Sequence, residues 1–276
     1  MAPDLSADGA RFEDAACAAA RVGGELLRRR FRETEGLLVE LKGLHDYVTD
    51  VDRQAEAAVV GYLRGRFPEH AFLAEEGHDD SPGEGCRWIV DPLDGTTNFI
   101  HGVGTFAVSV ALEDGRGLLA AAVYDPIRDE MFHAHRAGGA RLDGRPIRCS
   151  RPVSFDEALI ATGFPFRELA RLDSYLKVFE RFVRTSAGLR RAGSAALDLA
   201  YTACGRYDGF WEIGLSPWDV AAGALLVLEA GGTVTDLEGG DGYLETGDII
   251  AGGPDTYRAM LPLMGSLTAR SRPRSV

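Results

Sequence analysis

Two short apolar runs in this 276-residue chain, Ala71-Phe72-Leu73-Ala74 and Arg87-Trp88-Ile89-Val90, lead straight into acid. The first meets Glu75-Glu76; the second meets Asp91, with Asp94 three residues on. Runs of this length and composition read as strands. In an open sheet the ends of several strands converge on one crevice, where ligands sit. Four carboxylates gathered there without counter-charge would repel one another or take up protons. Hard oxygen donors at such a point suit Mg²⁺, which binds carboxylates, water and substrate phosphate. The formal net charge of −12 offers no basic footprint for a nucleic-acid backbone or an anionic membrane. Bound divalent cations would reverse the local field for a phosphate-bearing ligand.

The rest of the chain supplies a frame for those strand ends. Apolar positions in 12–31 follow helical spacing, and Arg28, Arg29 and Arg30 load the last turn with charge that suits the helix dipole. The ten residues before it are small and polar, and fraying is expected. A short strand is predicted over 37–41 and a second helix over 52–67, stopped by Pro68. Strands over 106–112 and 118–123 flank the hairpin signal Asp114-Gly115, and 131–135 and 140–147 continue the pattern around Asp143-Gly144. The first half thus reads as two helices and a mainly antiparallel sheet. After Arg151-Pro152, strands over 159–162, 210–212, 233–235 and 249–251 alternate with helices over 173–184, 194–204 and 218–230, the last stopped by Gly231-Gly232. One domain is expected, with an N-terminal subdomain over about 11–150, a C-terminal α/β subdomain over about 151–265 and a disordered tail over 268–276. Cys17, Cys86, Cys149 and Cys204 show no CxxC pairing and read as reduced thiols rather than a zinc site. With no signal pattern at residues 1–10 and no apolar stretch long enough for a membrane span, a cytoplasmic location is expected.

The segment Asp91-Pro92-Leu93-Asp94-Gly95-Thr96-Thr97 says more than its acids. Pro92 stiffens the turn, and Gly95 lets the backbone approach a ligand closely. A tight turn aims Asp91 and Asp94 at one cation, with the Leu93 carbonyl as a third oxygen. If a helix begins at Gly95, its first N–H groups face a phosphate. Thr96 offers a hydroxyl to position or activate a water. Taken alone, the motif leaves a solvated, inert acidic turn open.

Residues 91–99, Asp-Pro-Leu-Asp-Gly-Thr-Thr-Asn-Phe, resemble the first signature of the inositol monophosphatase family. Trp218-Asp219-Val220-Ala221-Ala222-Gly223, followed by Glu229-Ala230-Gly231-Gly232, resembles the second. The segments 46–52, 73–76 and 193–200 agree as well, in the family's order. The resemblance implies a five-layered α-β-α-β-α sandwich, commonly a homodimer, that hydrolyses phosphate monoesters with two or three Mg²⁺ ions per site. It implies that Glu75, Asp91, the Leu93 carbonyl and Asp94 hold the first ion, and that Asp91, Asp94 and Asp219 hold the second. Asp46 and Glu76 would lie near a third ion or its waters. Catalytic roles would fall to Asp46, Glu75 and Thr96, with Thr96, supported by Asp46, orienting the attacking water. The Gly95 and Thr96 amides would bind phosphate oxygens. The alcohol part would lie against Gly193, Ser194, Ala195, Glu212 and Asp219. Such a constellation performs in-line displacement at phosphorus by a metal-activated water and needs no serine or cysteine nucleophile.

Around this set stand residues with plainer readings. Lys42 lies where many relatives carry a lysine near the metal-linked water, and is otherwise a surface charge. Arg190-Arg191 is placed either to reach a phosphate or to stay solvated. The six histidines show no zinc-ligand spacing. A carboxylate at Glu212 suits a neutral polyol, so the leading expectation is inositol monophosphate hydrolysis. Fructose-1,6-bisphosphatase, histidinol-phosphate phosphatase and 3′-phosphoadenosine 5′-phosphate phosphatase are alternatives within the superfamily. A non-catalytic regulatory module is the alternative of another class, and it should have lost a metal ligand.

Overall fold

The computed structural model describes residues 5–31, 39–43, 46–80, 85–152, 154–166 and 168–268. Helix α1 (Leu5–Arg30) is followed by a hairpin of β1 (Val39–Gly43) and β2 (Asp46–Thr49), which hands the chain to α2 (Asp50–Arg66). On α2 the buried positions Val51, Ala55, Val59 and Leu63 repeat every fourth residue, a stripe on one helix face. With Ala16, Ala19 and Leu27 of α1, that stripe covers one face of a large sheet at Trp88, Val90, Val108 and Val110.

The sheet contains β3 (Ala71–Ala74), β4 (His78–Asp79), β5 (Arg87–Asp94), β6 (Ala107–Asp114), β7 (Gly117–Asp125), β8 (Glu130–His135), β9 (Gly139–Leu142) and β10 (Arg145–Pro146), with the short helix α3 (Thr96–Ile100) after β5. Its order is β10-β9-β8-β7-β6-β5-β3-β4, antiparallel throughout except for the parallel pair β3–β5. The chain then crosses to a second sheet, of β11 (Leu159–Thr162), β12 (Gly188–Arg190), β13 (Gly209–Glu212), β14 (Thr233–Thr235) and β15 (Ile249–Gly252), in the order β12-β11-β13-β15-β14. Between these strands lie α4 (Leu172–Thr185), α5 (Ala195–Ala203), α6 (Pro217–Glu229) and α7 (Tyr243–Thr246), and α8 (Pro254–Met260) follows β15.

Helices α5 and α6 fill the space between the two sheets. Helix α6 buries nine of its thirteen residues, so it is apolar nearly all round rather than striped. Gly223 on α6 brings it against Leu199 of α5, where a Cβ would collide. The shared core joins Ile89, Ala111 and Val123 of the first sheet to Phe210 and Ala251 of the second. Each fully buried aliphatic or aromatic side chain contributes about 1.5–3 kcal/mol, so the two halves of the chain stand or fall together. On the far side of the second sheet, Ile160, Trp211 and Ile250 pack against Tyr175, Val178 and Phe182 of α4 and Met260 of α8. The result is the expected five-layered α-β-α-β-α sandwich.

Local departures have local reasons. Helix α1 starts at Leu5, ahead of the predicted residue 12 and inside the stretch expected to fray; at Gly9 it runs so near the His135 ring that a Cβ would meet it, a contact no apolar period announces. The β pattern expected over 140–147 is the hairpin of β9 and β10, turned where expected, at Asp143 (φ 49°) and Gly144 (φ 76°). Strands β4 and β12 and helix α8, two to seven residues long, were not predicted; pieces this short carry no readable period. Of the predicted first strand, residues 37 and 38 lie outside the described residues, as do 269–276 of the predicted tail. No helix among the described residues is long and apolar enough to cross a membrane.

Candidate active site

The acids at the strand ends meet where β5 leaves the sheet. The strand keeps its pairing with β6 through Asp91↔Ser109, slips, and pairs again at Asp94↔Ala107. That irregularity aims two carboxylates, three residues apart, at one point. The Leu93 N–H donates to Asp91 Oδ1 at 2.9 Å, which fixes the first of them. Gly95 follows with φ 103° and ψ 35°, a left-handed geometry open to glycine at little cost, and α3 begins. A side chain at Gly95 would also press on the Thr105 and Gly193 carbonyl oxygens.

The other half of the chain delivers the rest. Asp219 is the third residue of α6, where its Oδ2 accepts the Ser216 N–H at 2.7 Å in a capping box. Ser194 caps α5 and donates its hydroxyl to Asp94 Oδ2 at 2.6 Å, and the Ala196 N–H donates to the same oxygen at 2.7 Å. The Asn98 amide then ties the halves together, donating to the carbonyls of Thr105 (2.7 Å) and Ala192 (2.9 Å). Asp91, Asp94 and Asp219 are all buried and offer carboxylate oxygens within 4.8 Å of one another.

Three carboxyls so close are electrostatically frustrated. Burial pushes Asp91 well above the ordinary carboxylate range, and Glu75, Asp94 and Asp219 push it further. Burial and then Asp219 raise Asp94 to about 7, although its bonds from Ser194 and Ala196 pull the other way. An all-oxygen donor set, buried and short of positive charge, fits a hard divalent cation.

Thr96 donates its hydroxyl to Asp52 Oδ1 at 2.9 Å and to the Leu93 carbonyl at 3.1 Å. The carboxylate expected beside Thr96 was that of Asp46; the residue found there is Asp52. Asp52 stands at the N3 position of α2, where its Oδ2 accepts from the Thr49 N–H (2.9 Å) and hydroxyl (2.5 Å), leaving Oδ1 for Thr96. Burial pushes its carboxyl up as well. Asp46 belongs to β2, and its side chain, like that of Lys42, lies outside the described residues.

A cavity of about 450 Å³ opens over this cluster. Its lining includes Glu75, Asp91, Leu93, Asp94, Gly95, Thr96, Gly193, Ser194, Ala195, Glu212 and Asp219, which sequence reasoning had named together. Glu76 is not in the lining, and its N–H donates to Glu56 Oε2 at 2.6 Å. Arg191 lines the cavity, with its guanidinium 5.4 Å from the Phe164 ring centroid and 5.3 Å from that of Phe166. Arg190 is exposed, and its guanidinium donates locally, to the Leu189 carbonyl. Glu212 comes off the end of β13 and lies against Gly163 at the end of the parallel strand β11, where a Cβ would land on the carboxylate. Sequence reasoning missed Asp52, Gly163 and Asp198. Asp52 carried a signal, Thr three residues ahead of Asp, which is a capping box.

The chain belongs to the inositol monophosphatase family, whose model matches residues 8–268. It is 52% identical to the protein called Nus factor SuhB of Pseudomonas aeruginosa, over 88% of this chain and 92% of that one. Among solved structures it resembles the extragenic suppressor protein SuhB of Bartonella henselae (43% identity, TM-score 0.88, 91% of this chain and 97% of that one). It also resembles the inositol monophosphatase of Anabaena (36% identity, TM-score 0.83, 92% and 95%).

Proposed function

We propose that the chain is a Mg²⁺-dependent phosphate-monoester hydrolase acting on an inositol monophosphate or a closely related polyol phosphate. The observation that carries this reading is the buried trio Asp91, Asp94 and Asp219, gathered from both halves of the chain at the floor of a cavity beside the Thr96–Asp52 pair. Glu75, Asp91, the Leu93 carbonyl and Asp94 would hold one ion, and Asp91, Asp94 and Asp219 a second. Such ions lower the pKa of a water, polarise the phosphoryl group and stabilise the departing oxygen. The chain's own residues set the geometry. Thr96 has one hydroxyl proton, committed to Asp52 or Leu93, so its lone pairs are left to accept from a water and aim it. The Gly95 and Thr96 amides would receive phosphate oxygens. Gly193, Ser194, Ala195 and Glu212 line the space left for the alcohol. A carboxylate there disfavours a second phosphate, which weighs against bisphosphate substrates; the amine of histidinol phosphate remains compatible with it.

Phosphate release from inositol 1-phosphate, with and without Mg²⁺, tests the reading. Asp94→Asn should lower the rate by about a hundredfold or more while circular dichroism is unchanged, because it weakens both proposed ion sites. No release from any monoester in a panel with histidinol phosphate, fructose 1,6-bisphosphate and the adenosine bisphosphate would refute it. The name of these relatives, Nus factor SuhB, supports a second reading, in which the chain also serves as a Nus factor. That reading is checked by whether the inactive Asp94→Asn variant still replaces the Escherichia coli relative in a strain lacking it.

A further inference from the structure

Asp198 has no part in the proposed metal set or in the substrate contacts that the family resemblance implies. It lies one turn into α5, is 1% exposed and lines the cavity. Its Oδ1 finds no hydrogen-bond partner among the described residues. A buried carboxyl oxygen left unpaired costs folding free energy, and alanine would extend the helix more favourably. An acid in the first turn of α5 suits the helix dipole, but the dipole does not account for a buried oxygen left without a partner beside a cavity.

Its surroundings set the form in which it acts. Burial, together with Glu212 and Asp94, pushes the Asp198 carboxyl well above the ordinary range, and Arg191 alone among its charged neighbours opposes this. A neutral carboxyl presents one O–H donor and one carbonyl acceptor. Glu212, which also lines the cavity, can only accept when it carries a carboxylate. Hydroxyls of a polyol each donate one hydrogen bond and accept others. An acid beside a carboxylate therefore adds the donor that a carboxylate alone lacks, so neighbouring hydroxyls can be met in both senses.

We propose that Asp198 is a specificity-determining residue that hydrogen-bonds a hydroxyl on the alcohol part of the substrate, beside Glu212. The proposal rests on the phosphatase reading above. It implies a substrate with free hydroxyls near the ester, and indifference of Asp198 to esters that have none.

Kinetics of the Mg²⁺-supplemented protein with inositol 1-phosphate and with p-nitrophenyl phosphate, which carries no hydroxyl, test it alongside Tm. Asp198→Ala should raise KM for inositol 1-phosphate by roughly tenfold with kcat little changed. KM for p-nitrophenyl phosphate should stay within about twofold, and Tm should match or exceed that of the parent. Asp198→Asn, which keeps a donor and an acceptor, should hold KM for inositol 1-phosphate within about threefold. Equal losses on both substrates, or a misfolded or less stable Asp198→Ala protein, would show a structural role and overturn the proposal. If the parent hydrolyses neither ester, the phosphatase reading falls and takes this inference with it. If the parent hydrolyses both and Asp198→Ala keeps its preference for the inositol ester, this inference alone falls.

Discussion

Asp52 does two jobs with two oxygens, and the division explains why an acid is needed there. Oδ2 closes the capping box with Thr49, and Oδ1 takes the Thr96 hydroxyl proton. An asparagine could keep the cap but would present an amide where Thr96 needs a strong acceptor. Asp52→Asn is therefore expected to lower kcat by about a hundredfold with Tm within a few degrees of the parent. A fall in Tm with kcat retained would leave Asp52 a helix cap and nothing more. Gly163 shows the same economy in reverse, since its missing side chain is the space that Glu212 fills.

Single residues reach the cavity only because helix and strand termini carry them there. The slipped end of β5 presents Asp91 and Asp94, the start of α6 presents Asp219, and the start of α5 holds Asp94 through Ser194 and Ala196. Gly95 joins β5 to α3 in a conformation that L residues avoid, with two carbonyl oxygens close to where a Cβ would sit. Gly95→Ala should cost roughly 2–3 kcal/mol, read as a fall in Tm of about 5–10 °C. Because the strain lies between the proposed metal carboxylates and Thr96, stabilisation by Mg²⁺ should weaken as well. An unchanged Tm would mean that the β5–α3 junction is looser than its geometry indicates.

The layers close a cleft in which acids outnumber bases, and the protein's stability must reflect it. Asp94, raised to about 7, and Asp91, pushed well above its ordinary range by burial, bind protons in the folded state that the unfolded chain releases near its ordinary carboxylate value. Folded pKa values above unfolded ones give stability that is complete below the unfolded pKa and is lost as pH rises through the folded one. A divalent cation bound there, as proposed, would replace those protons. The rise in Tm on adding Mg²⁺ should accordingly be larger at about pH 8 than at about pH 5.5. Melting curves with and without Mg²⁺ at both pH values check this. A shift that is absent, or larger at the acid end, would count against a metal at Asp91, Asp94 and Asp219.

Much of this protein is written locally. The helical stripe of α2, the hairpins at Asp114-Gly115 and Asp143-Gly144 and the apolar helix α6 follow from periodicity and turn chemistry among chain neighbours. The acidic turn at 91–97 was legible for the same reason: its proline, glycine and paired acids lie within one stretch of chain. The two family signatures then indicated that Asp219 belonged with it. What stayed hidden depended on direction. The family resemblance implied Asp46 beside Thr96, and that side chain lies outside the described residues; Asp52 reaches Thr96 because the capping box at the start of α2 engages its Oδ2 and leaves Oδ1 to accept. Asp198 reads in the chain as one more residue of a small-residue helix. Only the packing of α5 between the two sheets, with Glu212 arriving from β13, turns it into an unpaired acid on a cavity wall. Which groups form elements is a matter of neighbours in sequence, whereas which groups face one another is a sum over the whole path of the chain.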